Sequence, residues 1–147
     1  MDQLKLFKDE TTYKKSVKDG EYIYIPDFLS HDKSDQYFDK LLNTIHWKQE
    51  EMNMYGKTLA FPRLTSWYGD PDKSYSFSGL TLHPNSWTTE LLEIKHKVAA
   101  EVNTPFNSVL LNRYRNGSDS MSWHQDDENE LGANPVIASV NLGATRT

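Results

Sequence analysis

The chain has 147 residues, enough for one domain with one core, and 37% hydrophobic with 25% charged residues marks a soluble globular fold rather than a disordered one. It has no cysteine, which removes disulfides, thiolate metal sites and cysteine nucleophiles and fits a reducing compartment. A net charge of −5 argues mildly against a dedicated nucleic-acid binder, and with no apolar leader in "MDQLKLFKDE" and no long apolar run, neither secretion nor membrane spanning is expected.

Residues 1–20 are polar and Lys-rich and read as loosely ordered. "EYIYIP" at 21–26 alternates and stops at Pro26, which predicts a short strand. Ser30 is placed to cap a helix over 31–46, with Tyr37, Phe38, Leu41, Leu42 and Ile45 on one face. A second helix is predicted over 88–102, where Leu91, Ile94, Val98 and Val102 recur at helical spacing between Pro84 and Pro105. "FNSVLLNRYR" then reads as a strand, "NGSDS" as a turn, "MSWHQD" as a second strand, "DENELGANP" as a loop and "PVIASVNLGATRT" as the start of another strand. Helices first and strands later predict an α+β domain whose C-terminal half is a β-sandwich or jelly roll. The chain reaches Thr147 inside or just after a strand.

"SWHQDDENEL" at 122–131 sets one histidine before a run of acids and amides. On a strand, His124 and Asp126 point to one face while Gln125 points away. An imidazole and a carboxylate so placed supply two of the three ligands of the facial triad that holds Fe(II) with open positions for a co-substrate and dioxygen. His-x-Asp is also common by chance, and a hydrogen-bonded His–Asp pair in a loop is the competing reading. A calcium loop is disfavoured because Leu131 stands where the sharp turn needs glycine. No Gly-rich phosphate cradle precedes a helix, and nothing marks one acid of a hydrolytic pair as desolvated.

Wider motifs carry more. "LNRY" at 111–114, "NGSDSMSWHQDDENELG" at 116–132 and "PVIASVNLGATR" at 135–146 resemble the AlkB family of Fe(II)- and 2-oxoglutarate-dependent dioxygenases, and "MYGK" at 54–57, "FPRLTSWYGD" at 61–70 and "YSFSGLTLHP" at 75–84 resemble its DNA-repair branch. The resemblance implies a double-stranded β-helix (jelly roll) with N-terminal helices packed on it. Residues 1–25 would be an N-terminal extension with the first strand, and 26–147 a partial oxygenase domain. It implies His124 and Asp126 as iron ligands, and Asn112 and Tyr114 as contacts to 2-oxoglutarate. Tyr55, Gly56 and Lys57 match the segment that probes the duplex, and Tyr75, Ser76 and Phe77 the lid over the flipped base. Asp127 matches a polar contact to that base, and Arg63 a contact in damage recognition or to the backbone. Arg146 matches the family in either a structural or a catalytic role. Phosphate contacts would fall to Lys57, Arg63, Lys73, Arg113 or Arg115.

The implied reaction is oxidative demethylation of an alkylated base in DNA or RNA, using Fe(II), 2-oxoglutarate and dioxygen, by a monomer in the cytoplasm or a nucleus. The chemistry of the lesion agrees. A base methylated on its pairing edge is flat, often cationic and weakly paired, so extrusion costs less than for a normal base. Phe77 and Tyr75 would stack on the cation, and Asp127 and Glu128 would favour its charge. The sequence departs from the family in one respect: no histidine follows His124, and the family's downstream arginines for 2-oxoglutarate are missing. His31, His46, His83 and His96 are poor substitutes. The expectation is therefore a C-terminally shortened chain lacking the last jelly-roll strands, with little activity of its own. From a different class, a catalytically dead nucleic-acid-binding module with the same fold is the alternative.

Overall fold

The computed structural model describes residues 12–77, 80–124, 126 and 131–146. In chain order the elements are β1 (Tyr13–Val17), β2 (Gly20–Tyr24), α1 (His31–Thr44), β3 (Glu51–Met54), β4 (Lys57–Ala60), β5 (Leu64–Gly69), β6 (Tyr75–Phe77), β7 (Leu80–Leu82), α2 (Thr89–Val102) and β8 (Ser108–Arg113). The strands pair antiparallel as β1–β2, β3–β4, β5–β8 and β6–β7.

Both predicted helices form, and their caps explain where. The Ser30 side chain accepts from the Lys33 amide to open α1, and the Thr88 side chain accepts from the Leu91 amide to open α2. Asn103 closes α2 in the left-handed region, φ 48°, which asparagine tolerates better than most residues. Tyr37 and Leu41 from α1 and Ile45 at its C-terminal cap meet Leu91 from α2 and Tyr68 from β5 in one buried cluster. The Tyr37 hydroxyl donates to Glu93 Oε2 at 2.6 Å, tying the two helices together. That bond, with burial, pushes the phenol up to about 12.

The β5–β8 pair is the floor of the molecule. Its register sets Tyr68 opposite Val109 and Ser66 opposite Leu111, and Tyr68, Val109 and Leu111 pack with the helices. By alternation, Thr65, Trp67, Leu110 and Asn112 share the opposite face. The outer edge of β5 is partly satisfied: Lys48 exchanges both backbone hydrogen bonds with Thr65, and Asn85 bridges Trp67 and Gly69.

Three expectations need correction. Residues 13–17 form a strand where a loose polar segment is expected; Lys18 and Asp19 make the two-residue turn that folds β1 back on β2, with Val17 opposite Gly20. The expected strands at "MSWHQD" and from Pro135 onward are absent among the described residues. A strand exists only when its N–H and C=O groups meet a neighbouring ladder, and no described segment pairs with these. The 135–146 run instead lies along the surface with Val136, Ile137 and Val140 exposed. It docks where Leu142 joins the core and Gly143, φ 85°, lies against the Phe38 ring. A Cβ at Gly143 would stand 2.7 Å from Phe38 Cε2, so only glycine fits both the dihedral and the contact.

Candidate active site

His124 and Asp126 are brought together, but by a bend rather than a strand. His124 Nδ1 lies 2.9 Å from the Ser122 carbonyl oxygen, and only a protonated nitrogen can donate to that acceptor. Nε2 is thereby left with its lone pair, the tautomer a metal ligand needs. Nε2 stands 3.6 Å from Asp126 Oδ1, beyond a good hydrogen bond. Two donors bound side by side to one ion at about 2.1 Å each would stand roughly 3 Å apart, so a small adjustment lets these two share one. Both side chains are about half exposed, and His124 borders a shallow depression with Met121, Ser122 and Trp123. Among the described residues, no group of three His, Cys, Asp or Glu side chains is placed to hold a metal.

Asn112 lies on β8 opposite Thr65, and its Oδ1 accepts from Arg63 Nε at 3.1 Å. Tyr114 follows the end of β8, and the Arg146 guanidinium stacks 4.6 Å from its ring centroid. No hydrogen bond or ion pair among the described residues joins either residue to His124 or Asp126. The backbone between the two pairs is braced instead. Asp119 is buried and accepts from the Arg115 amide at 2.8 Å, Arg115 Nε at 2.8 Å and Arg115 Nη2 at 2.9 Å. The Asn116 side chain accepts from the Ser118 amide, and the Ser120 amide donates to the Pro62 carbonyl. Arg146 Nη1 donates to the Asn116 carbonyl at 2.9 Å, and Nη2 to the Asp119 carbonyl. Arg146 is therefore a clamp on the loop between Tyr114 and His124. Sequence reasoning missed Asp119 and its brace; Arg-x3-Asp around an Asn-Gly turn was the available signal.

The Arg115 bonds hold the Asp119 carboxyl down to about 2, with Arg146 adding to the effect. Because the folded value is depressed, the stabilisation is present above about pH 4 and is lost as pH falls through about 2. Asp119→Asn should accordingly be less stable than the parent at pH 7, and chemical denaturation should show that gap closing between pH 4 and pH 2. A pH-independent gap would mean the carboxylate charge is not what braces the loop.

The other expected site residues lie apart. Tyr55 and Gly56 form the two-residue tip between β3 and β4, both at positive φ (52° and 74°), and Tyr55 is 97% exposed. Lys57 starts β4 beside them and is exposed. Tyr75, Ser76 and Phe77 form β6 and pair with β7; their side chains, and Asp127 as a whole, lie outside the described residues. Of the expected phosphate contacts, Arg115 is engaged by Asp119, Lys73 by Asp72 at 3.1 Å, and Arg113 lies over the Trp47 ring at 6.0 Å.

The family model described as the 2OG-Fe(II) oxygenase superfamily matches residues 21–147. The chain belongs to that superfamily. Its cofactor pair is iron(II) and 2-oxoglutarate, and His124 with Asp126 fits two of the protein positions around such an ion. Among relatives, the chain is 41% identical over 122 residues to alpha-ketoglutarate-dependent dioxygenase alkB homolog 3 of Bos taurus, covering 82% of this chain and 42% of that protein. It is 38% identical over 117 residues to DNA oxidative demethylase ALKBH2 of Homo sapiens (78% and 45%). Over 133 residues it is 35% identical to the Arabidopsis thaliana protein of that name (86% and 42%). The AlkB resemblance is thus borne out, and the chain spans about two-fifths of the length of the curated relatives it matches.

Proposed function

We propose that the protein carries out oxidative demethylation of alkylated bases in DNA, with RNA as a further substrate. The observation that carries this reading is the convergence of His124 Nε2 and Asp126 Oδ1, in a chain so similar to proteins named for that chemistry. When bound, Fe(II) with 2-oxoglutarate and dioxygen supplies the oxidation of the methyl carbon, whose hydroxylated product separates as formaldehyde and repaired base.

The chain's own residues position the partners. The Ser122 carbonyl holds the His124 tautomer, and Asp126 supplies the carboxylate. Asn112 and Tyr114 take the co-substrate. Tyr55 holds an uncommon left-handed conformation at an exposed hairpin tip, an arrangement suited to probing a duplex. Tyr75, Ser76 and Phe77 on β6 close over the extruded base, with Asp127 contacting it. The exposed 135–141 run would become a strand of the family's jelly roll on gaining a pairing neighbour.

The test is incubation of the full-length protein with Fe(II), 2-oxoglutarate, air and an oligonucleotide carrying a base methylated on its pairing edge. Formaldehyde and succinate in equal amounts are expected, with little of either from the unmodified oligonucleotide. Tight oligonucleotide binding without succinate would instead identify a non-catalytic binding module.

A further inference from the structure

We infer that Arg63 is a positioning residue for the co-substrate: it sets the Asn112 amide so that its NH2 group, not its oxygen, faces a carboxylate. The inference rests on the proposed role of Asn112. Arg63 stands one residue before β5, two positions from Thr65, and so on the same side of the sheet as Asn112. Its Nε–H donates to Asn112 Oδ1 at 3.1 Å. The opposite amide orientation would set NH2 against a guanidinium that has only donors, so this bond selects one of the two. With Oδ1 occupied, Nδ2 and its two hydrogens are presented away from Arg63.

Arg63 is itself held. Its guanidinium lies 5.1 Å from the Phe61 ring centroid, and its amide donates to the Phe61 carbonyl at 2.8 Å. Phe61 is fixed in turn by its amide donating to Glu50 and by its carbonyl accepting from Gln49. The arginine is therefore set before any ligand arrives. Among the described residues its Nη1 and Nη2 groups make no hydrogen bond, so its charge stays available beside the Asn112 amide. Donor hydrogens next to a fixed positive charge suit a carboxylate, and this separates Arg63 from the expected role at the nucleic-acid backbone.

The experiment measures 2-oxoglutarate affinity by calorimetry, without oxygen, in the full-length protein loaded with Mn(II). Asn112→Ala, Arg63→Leu, Arg63→Gln and the Arg63→Leu/Asn112→Ala double variant are compared, with methylated-oligonucleotide affinity measured in parallel. Arg63→Leu is expected to weaken 2-oxoglutarate about tenfold, the scale of one lost hydrogen bond to a charged group, and to leave oligonucleotide affinity within about twofold. Arg63→Gln, which keeps an N–H donor, should recover part of the loss. In the double variant the Arg63→Leu effect should largely vanish, because its route runs through Asn112. In the metal-free protein, Arg63→Leu should shift the Asn112 side-chain NH2 resonances. If Asn112→Ala weakens 2-oxoglutarate but Arg63→Leu does not, or if Arg63→Leu weakens only the oligonucleotide, the positioning role is overturned. If Asn112→Ala has no effect, the co-substrate assignment of Asn112 fails and takes this inference with it.

Discussion

His124→Ala is expected to remove succinate release from the full-length protein and to lower its affinity for Fe(II) by more than about 100-fold. Loss of a group that merely supports a ligand costs about 10–100-fold, and His124 is proposed as the ligand itself. Its Nδ1 is committed to the Ser122 carbonyl and its Nε2 faces Asp126. Asp126→Ala should act in the same direction. His96→Ala is the control, since His96 lies exposed on α2 and takes no part in the proposed site. Metal binding should be followed by equilibrium dialysis and turnover by succinate release. Unchanged Fe(II) affinity in His124→Ala, or a loss in His96→Ala, would sink the ligand assignment. Because His124 sits in an irregular, half-exposed segment, its removal should leave the folded fraction nearly unchanged.

The second large effect concerns the fold. Leu91→Ala should destabilise the protein by about 2–5 kcal/mol, the range for truncating a buried leucine. Leu91 is 4% exposed and meets Tyr37, Leu41, Ile45 and Tyr68 in the cluster where both helices press on the sheet. Few residues of the described chain are buried as deeply, so little else can collapse into the space. Against a typical total of about 5–15 kcal/mol, that loss is a large share. Thermal unfolding by circular dichroism should show a midpoint lowered by roughly 8–20 °C. Glu101→Ala, on the exposed side of α2, should stay within about 0.5 kcal/mol of the parent. Equal midpoints for Leu91→Ala and the parent would show that the α1–α2–sheet cluster is not the core.

The two helices were legible because each carries local signals that need no tertiary partner. Ser30 and Thr88 cap the first turns, and apolar residues recur on one face. The β8 strand was legible from its β-branched and aliphatic run. The segment around His124 was legible as chemistry but not as structure. The i, i+2 spacing predicted one strand face, whereas the convergence arises from a bend held by the Ser122 carbonyl. The C-terminal run was misjudged because its alternation reports a capacity for pairing, and pairing depends on another segment being present. The β1–β2 hairpin was not legible, because its Lys-rich strands and its Lys18-Asp19 turn carry little apolar alternation.

The sequence by itself determined the helices, their boundaries, the family and the identity of His124, Asp126, Asn112 and Tyr114 as candidates, because caps, periodicity and ordered motifs are local properties. Only the tertiary structure decided that Arg63 holds Asn112 and that Arg146 clamps the loop beside Tyr114. Arg63 and Asn112 are 49 positions apart, Arg146 and Asp119 27 apart. Such partners are chosen by where the sheet register and the docking of Gly143 on Phe38 place them. A guanidinium carries the same charge whether it meets a phosphate, an amide or a carbonyl, so neither arginine's role could be read from residue type.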